Sequence, residues 1–360
     1  MHIVKKLMIL VIVVVSFVII YQLVRENTIM RNQMEEIKYE TFQTEIQKES
    51  TELNKDAKDQ GLELNIKPLS EKTKQLDLIL REFMIKSSYN SAIINKTASR
   101  EAIEFVLGRG CRLLDFEIYT RDEKEYVSYS TDKDYRTLQT ELTLTFEKAM
   151  TAVAANAFSP PSPAPAPTDP LFIHLRIKNH SKAAYKRISK IIRDVFGNKL
   201  YTDSVNGSTP IRKLIGKVVI IIDAMSAPDY YKYSKCLDTE LDCVPLSDLV
   251  KLVSGTVDLP KYSFTHYSDL AQTQISIDDK TDKTNIMTFI MATPPEIGGD
   301  LVSFPDKKAL LKLPVQMLLV PFYKQTEDLK KYEAIFNESG SSFCALGPMI
   351  RISYRDNAER

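Results

Sequence analysis

Glycine is scarce in this chain of 360 residues, with 11 in all, against a usual share of about 7%. No G-x-G-x-x-G and no G-x-x-x-x-G-K-[ST] run occurs, so the turns that cradle dinucleotides and nucleoside triphosphates are not expected. Tryptophan is absent, and the only histidines are His2, His174, His180 and His266. The four cysteines are too few for a disulfide scaffold. Only Cys236 and Cys243 lie close together, without metal-ligand spacing around them, which argues against a structural zinc site. They can close a small surface loop or remain as thiols. Charge of one sign is also lacking: 48 basic side chains against 47 acidic ones leave +1. No nucleic-acid partner follows from that balance.

Long apolar runs are confined to the beginning. Residues 7–24 are apolar except for Ser16, Tyr21 and Gln22, and about 18 residues at 1.5 Å each nearly cross a hydrocarbon core of about 30 Å. The run predicts a transmembrane anchor over residues 1–24. A cleavable signal peptide is the rival, but it carries a shorter apolar stretch and a small-x-small cleavage site. Lys5 and Lys6 before the span are matched by Arg25 and Arg31 after it, so the positive-inside rule votes weakly. The orientation read here is a single pass with the amino terminus in the cytosol and the globular part on the non-cytosolic side. Residues 25–67 are rich in Glu, Gln, Lys and Asn, with Leu23, Met30 and Ile37 spaced by seven and Ile46 and Leu53 repeating that spacing after a break. This sparse stripe fits a helical stalk that self-associates; a solvated helix or plain spacer fits equally.

Residues 68–360 read as one α/β block. Strand-like apolar runs stand at 83–85, 113–119, 126–129, 171–177, 218–222, 286–292 and 315–322, with helix-period segments at 99–107, 138–155 and 182–196 between some of them. Strands alternating with helices imply a parallel sheet, and at this length a (β/α) TIM-type barrel. The S-P-P-S-P-A-P-A-P-T-D stretch at 159–169 cannot continue a helix, because proline lacks the amide proton and fixes φ. It predicts an extended surface loop inserted before a strand, with docking to a partner groove as its alternative.

Several segments then resemble, in order, the X domain of phosphatidylinositol-specific phospholipase C. Ser87-Ser88-Tyr89-Asn90-Ser91 is similar to the family's S-S-H-N-T. Gly110-Cys111-Arg112 followed by Asp115 and Glu117 is similar to G-C-R-x-x-E-x-D and is the most specific part. Residues 126–131 stand where the family has Y-H-G-H-T, 171–181 follow a strand ending like L-S-L-E-N-H, and Leu214-Ile215-Gly216-Lys217 resembles an L-x-G-K leader. The resemblance covers residues 83–223 and implies a barrel with a phosphoric diester hydrolase ancestry in lipid metabolism.

That ancestry implies two histidines as acid and base, and a calcium ion held by an asparagine and three carboxylates. Here Tyr89 and Ser130 stand at the histidine positions. Neither shuttles protons readily near neutral pH, since even the tyrosine hydroxyl has a reference pKa near 10. These degenerate positions predict a pseudoenzyme. Asn90, Asp115 and Glu117 are kept as ligand-binding candidates. The third carboxylate falls on Arg176 or Lys178, depending on a gap, so a cation replaces an acid and calcium is doubtful; no other cofactor is expected. A basic residue there can hold the phosphate of a membrane lipid or an inositol-phosphate headgroup, or pair internally with Asp115 or Glu117. His174 or His180 as a substitute base would restore an active enzyme, while an anchored adhesion ectodomain ignores the resemblance altogether. Four N-x-[ST] sequons stand at Asn95, Asn179, Asn206 and Asn337.

Overall fold

The computed structural model describes residues 64–94, 97–131, 137–140, 144–158, 162–178, 181–233, 235–236, 243–273, 289–295, 313–322 and 326–347, with isolated positions at 17, 20–22, 24–28, 30, 44, 48, 305 and 310. The chain forms two compact units, Met1–Glu52 and Leu53–Arg360. The expected anchor and stalk fall almost wholly outside the described residues. Among the described residues no helix is long and apolar enough to cross a membrane.

In the second unit the elements follow in chain order. They are β1 (Phe83–Tyr89), β2 (Ile93–Ile94), β3 (Thr97–Ala98), α1 (Arg100–Gly108), β4 (Leu113–Arg121), β5 (Lys124–Val127), α2 (Phe146–Phe158), β6 (Leu171–Ile177), α3 (Lys182–Phe196) and β7 (Val218–Asp223). After these come α4 (Tyr230–Tyr233), α5 (Leu246–Leu249), β8 (Val250–Ser254), β9 (Lys261–Ser263), α6 (Phe264–Thr273), β10 (Met291–Thr293), β11 (Met317–Pro321), α7 (Glu327–Ser339) and β12 (Phe343–Ala345). Helices α1, α3 and α7 start where a hydroxyl caps the first turn. Ser99, Ser181 and Thr326 accept from the amides of Ala102, Ala184 and Leu329, satisfying donors that have no partner within the helix. Gly340, at φ +61°, closes α7 in the left-handed conformation that glycine adopts without strain.

Eight strands make a parallel ring in the order β8-β7-β6-β4-β1-β11-β10-β9. The first and last parallel strands, β1 and β11, pair in register from Ile85 with Met317 to Tyr89 with Pro321. The ring is therefore nearly closed, and the one junction without backbone pairing among the described residues is that between β8 and β9. Lys261 on β9 reaches Asp223 on β7 at 3.0 Å there. The α/β barrel expected from the sequence is present. Two expectations are corrected. Residues 126 and 127 belong not to a barrel strand but to the hairpin of β5 with β4, antiparallel, turned by Asp122 and Glu123 at positive φ, and residues 128 and 129 lie past its end. The helix expected from residue 138 begins only at Phe146.

Inside the ring the side chains are sorted by height. Toward the amino ends of the strands lie Phe83, Ile85, Leu113, Phe172, Val219, Leu252, Met291 and Met317, closed below by Leu69, Leu80, Ile211, Leu214 and Phe343. Burying such side chains is worth roughly 1.5–3 kcal/mol each. Toward the carboxyl ends the interior turns polar, with Asp115, Glu117, His174, Arg176, Asp223 and Ser254 all buried.

The G-C-R run forms part of the floor rather than the mouth. Gly110 has φ +84°, and a Cβ there would fall 2.5 Å from Ile66 Cδ1 and 3.4 Å from Pro165 Cγ. Arg112 is fully buried and donates to the Ala157 carbonyl at 3.1 Å. The proline-rich stretch is also corrected: in its described part Ala164, Ala166 and Asp169 are buried, and Asp169 accepts from the Leu69 amide at 2.7 Å. Its described part is thus held against the barrel through Ala164, Ala166 and Asp169.

Candidate functional site

Strand alternation builds the site. Residues two apart on a strand face the same side, so Asp115 and Glu117 on β4 enter the barrel together. The register places them opposite His174 and Arg176 on β6. Asn90 follows β1 directly and takes φ +47°, a left-handed conformation that asparagine tolerates. Its amide donates to Asp115 Oδ2 at 3.0 Å.

Three of the expected oxygen-bearing side chains converge on one guanidinium. Arg176 donates from Nε to Asp115 Oδ1 at 3.0 Å and from Nη2 to Asp115 Oδ2 at 2.8 Å. The same Nη2 donates to Asn90 Oδ1 at 2.5 Å, and Nη1 donates to Glu117 Oε2. Arg176 itself is 1% exposed. The other oxygen of Glu117 accepts from the Tyr119 hydroxyl and from the Ser130 amide, the latter at 3.1 Å. Burial disfavours the charge on Asp115, but Arg176 and His174 outweigh it and hold the carboxyl well below its ordinary range. Burial likewise works against the guanidinium, and Asp115, Tyr89 and Glu117 nevertheless keep it charged far above neutral pH. The basic residue in the position expected to carry a third carboxylate is thus paired internally through Arg176. Lys178 lies one step past the end of β6, its amide bonded to the Ile118 carbonyl at 2.9 Å.

Calcium takes six to eight oxygens, usually several of them carboxylate. Here both oxygens of Asp115, both of Glu117 and the amide oxygen of Asn90 already accept hydrogen bonds, and the point on which they converge carries a positive charge. The donor set does not fit a calcium ion. Among the described residues no group of three His, Cys, Asp or Glu side chains is arranged to hold a metal.

The two positions aligned with proton-transfer histidines are also occupied structurally. The Arg176 guanidinium carbon lies 4.5 Å from the centroid of the Tyr89 ring, and the Ser130 hydroxyl donates to the Thr137 carbonyl at 2.8 Å. His174 is not at the mouth. It sits buried beneath Arg176, with Nδ1 2.7 Å from Asp115 Oδ1 and Nε2 2.8 Å from Ser254 Oγ. From Ser254 the chain of polar contacts continues to Asp223 at 3.4 Å and on to Lys261. Sequence reasoning missed Asp223, Ser254 and Lys261; the one available signal was the aspartate closing the apolar run V-V-I-I-I-D at 218–223. His180 lies outside the described residues.

An eight-strand parallel barrel with an apolar floor and acidic and basic side chains meeting at the carboxyl ends of its strands has the layout of barrel enzymes, whose sites lie at that face. Residues 76–222 match the model of the family described as phosphatidylinositol-specific phospholipase C, X domain, so the chain carries an X-domain region over those residues. The crystal structure of L. pealei PLC21 is similar at 15% identity and TM-score 0.56, covering 76% of this chain and 38% of that one. That of S. officinalis PLC21 is similar at 15% identity and TM-score 0.55, with the same shares of 76% and 38%. The calcium-dependent phosphoinositol-specific phospholipase C of a Pseudomonas sp. superposes at 12% identity and TM-score 0.48, over 78% of this chain and 97% of that one. The first two likenesses establish the fold, and by identity a divergent form of it. The chain spans about two fifths of the length of those two proteins, 38% in each case. No curated protein matches the sequence.

Proposed function

We propose that the chain is a membrane-anchored, X-domain-like barrel that lacks ordinary phosphodiester hydrolysis and serves as a binding module. The observation that carries this reading is the saturation of Asn90, Asp115 and Glu117 by Arg176. Cleavage assisted by a neighbouring hydroxyl needs one group to take a proton and another to return it, both near their working pKa. Tyr89 and Ser130 supply neither. A phosphate held in bidentate fashion needs two parallel donors of one guanidinium. Both donors on Nη2 of Arg176 are spent on Asn90 and Asp115. The reading therefore favours a protein surface as ligand over a lipid or inositol-phosphate headgroup. The anchor belongs to this proposal on the strength of the apolar run at 7–24, and self-association on that of the sevenfold spacing in the stalk. The disulfide between Cys236 and Cys243 supports a globular part in an oxidising, non-cytosolic compartment.

The test is hydrolysis and binding by the detergent-solubilised full chain. No release of inositol phosphate from phosphatidylinositol or its glycerophospho analogue, with no binding of inositol phosphates, is the expected result. Turnover of either substrate sinks the reading, and turnover that survives in a calcium chelator and disappears in His174→Ala identifies its source. That outcome would favour the second reading, an active phosphoric diester hydrolase with rearranged residues. Its one supporting observation is the hydrogen-bonded series Asp115, His174, Ser254, and the burial of all three speaks against it.

A further inference from the structure

Of the four sequons, Asn95 and Asn179 lie outside the described residues, and the remaining two differ sharply. Asn206 and Ser208 are exposed on the turn that leads toward β7. The turn is held entirely through other atoms. The Asn206 amide donates to Thr209 Oγ1 at 2.9 Å, the Thr209 amide to the Asn206 carbonyl at 3.0 Å, and the Ser208 amide to Asn206 Oδ1 at 2.9 Å. The carbonyls of Gly207 and Thr209 accept from the amides of Arg81 and Leu80, each at 2.9 Å. The backbone of the turn is thus stapled to the barrel floor, while the side-chain amide of Asn206 presents Nδ2 to solvent with its oxygen fixed. Asn337 is the opposite case. It lies on α7, 7% exposed, with its Oδ1 buried and without a hydrogen-bond partner, and no bulky group can be carried there by the folded barrel.

A second, independent feature concerns the compartment. Cys236 and Cys243 are joined across seven positions, whereas Cys111 and Cys344 are buried and outside any disulfide. A disulfide that is not buried persists under oxidising conditions, and the secretory lumen is where N-linked glycans are added.

We infer that Asn206 is an N-glycosylation site and that Asn337 is not. This rests on the non-cytosolic placement in the reading above. The oligosaccharide comes from a lipid-pyrophosphate-linked donor. The bond from its anomeric carbon to the pyrophosphate oxygen breaks, a bond from that carbon to Asn206 Nδ2 forms, and the amide gives up one proton as the lipid pyrophosphate leaves. The turn precedes β7, at the amino ends of the strands, so a glycan there covers the floor and leaves the polar mouth open. The site thereby marks the floor as the face that partners do not approach.

The experiment expresses the full chain in a eukaryotic cell and treats it with peptide-N-glycosidase, with the oxidation of Cys236 and Cys243 followed in parallel by alkylation. The expected result is a glycosidase-sensitive mobility shift that is smaller by one glycan in Asn206→Gln and in Ser208→Ala and unchanged in Asn337→Gln. A shift of the parent's full size in both Asn206→Gln and Ser208→Ala overturns the inference. An unglycosylated Asn206 in a chain whose Cys236 and Cys243 resist alkylation until reduced also overturns it, while leaving the compartment reading intact. An unglycosylated Asn206 with both thiols free to alkylate overturns the two together.

Discussion

The guanidinium of Arg176 lies over the ring of Tyr89, 4.5 Å from its centroid, so the side chain in the first proton-transfer position of the resemblance serves as a platform for the cation of the site. The ring's negative face adds to the two carboxylates in holding that charge.

Substituting Arg176 is therefore expected to cost more than a surface ion pair. Arg176→Met leaves Asp115 and Glu117 buried with their common partner gone, a loss on the order of 3–5 kcal/mol. Arg176→Lys recovers little of it, since an ammonium cannot bridge Asn90, Asp115 and Glu117 at once. Urea unfolding at neutral pH measures both, and a variant within about 1 kcal/mol of the parent would contradict the described network.

Acid should act on the same cluster. Against the opposing effect of burial, Arg176 and His174 depress the Asp115 carboxyl, whereas unfolded aspartate titrates near pH 3.9. The contribution is present above that value and is lost as pH falls through the lower folded-state value. Between pH 4 and pH 2 the parent should lose stability more steeply than Asp115→Asn, as read from denaturant midpoints.

Asp169 works in the other direction. Burial, against the Leu69 amide, Arg112 and Lys72, pushes its carboxyl up to about 6. A raised carboxyl gives stability below its unfolded value that is lost as pH rises through the folded one. The parent should therefore become less stable from pH 4 to pH 6.5, on the order of 2 kcal/mol. Asp169→Asn should remove this slope, and thermal melts across that range would reveal it.

Reducing the disulfide is expected to be mild. A loop of this size stabilises by about 2 kcal/mol in the chain-entropy account. The paired substitution Cys236→Ser with Cys243→Ser should lower the unfolding free energy by no more than that, and added reductant should no longer alter its denaturation curve.

Much of this molecule could be read from its residues, and the exceptions have causes. Residues 171–177 and 182–196 were legible in full, because a predominantly apolar run broken only by His174 and Arg176 and a strongly amphipathic segment leave little ambiguity. The hairpin of β5 was hidden by its turn: Asp122-Glu123 takes positive φ at both positions without the Asn-Gly or Asp-Gly pair that usually signals it. β9 and β12 have three residues each, too few to show a period. In the site, Asn90, Asp115, Glu117 and Arg176 were found through strand alternation and the resemblance together; alternation turns Asp115 and Glu117 into the barrel, while the meeting with Arg176 depends on the register of β4 with β6. The choice between Arg176 and Lys178 could not be made from spacing; register with Glu117 makes it. Ser254 and Lys261 come from strands that carry no motif, so their link to His174 and Asp223 exists only in three dimensions.

The junction between β8 and β9 gives the barrel something like the split in a key ring. Every other neighbouring pair of parallel strands shares main-chain hydrogen bonds, but here the hoop is fastened by a lysine gripping an aspartate one strand beyond. Any spreading force will part the circle at this point first, so amide hydrogens flanking it should be the earliest in the barrel wall to trade with heavy water.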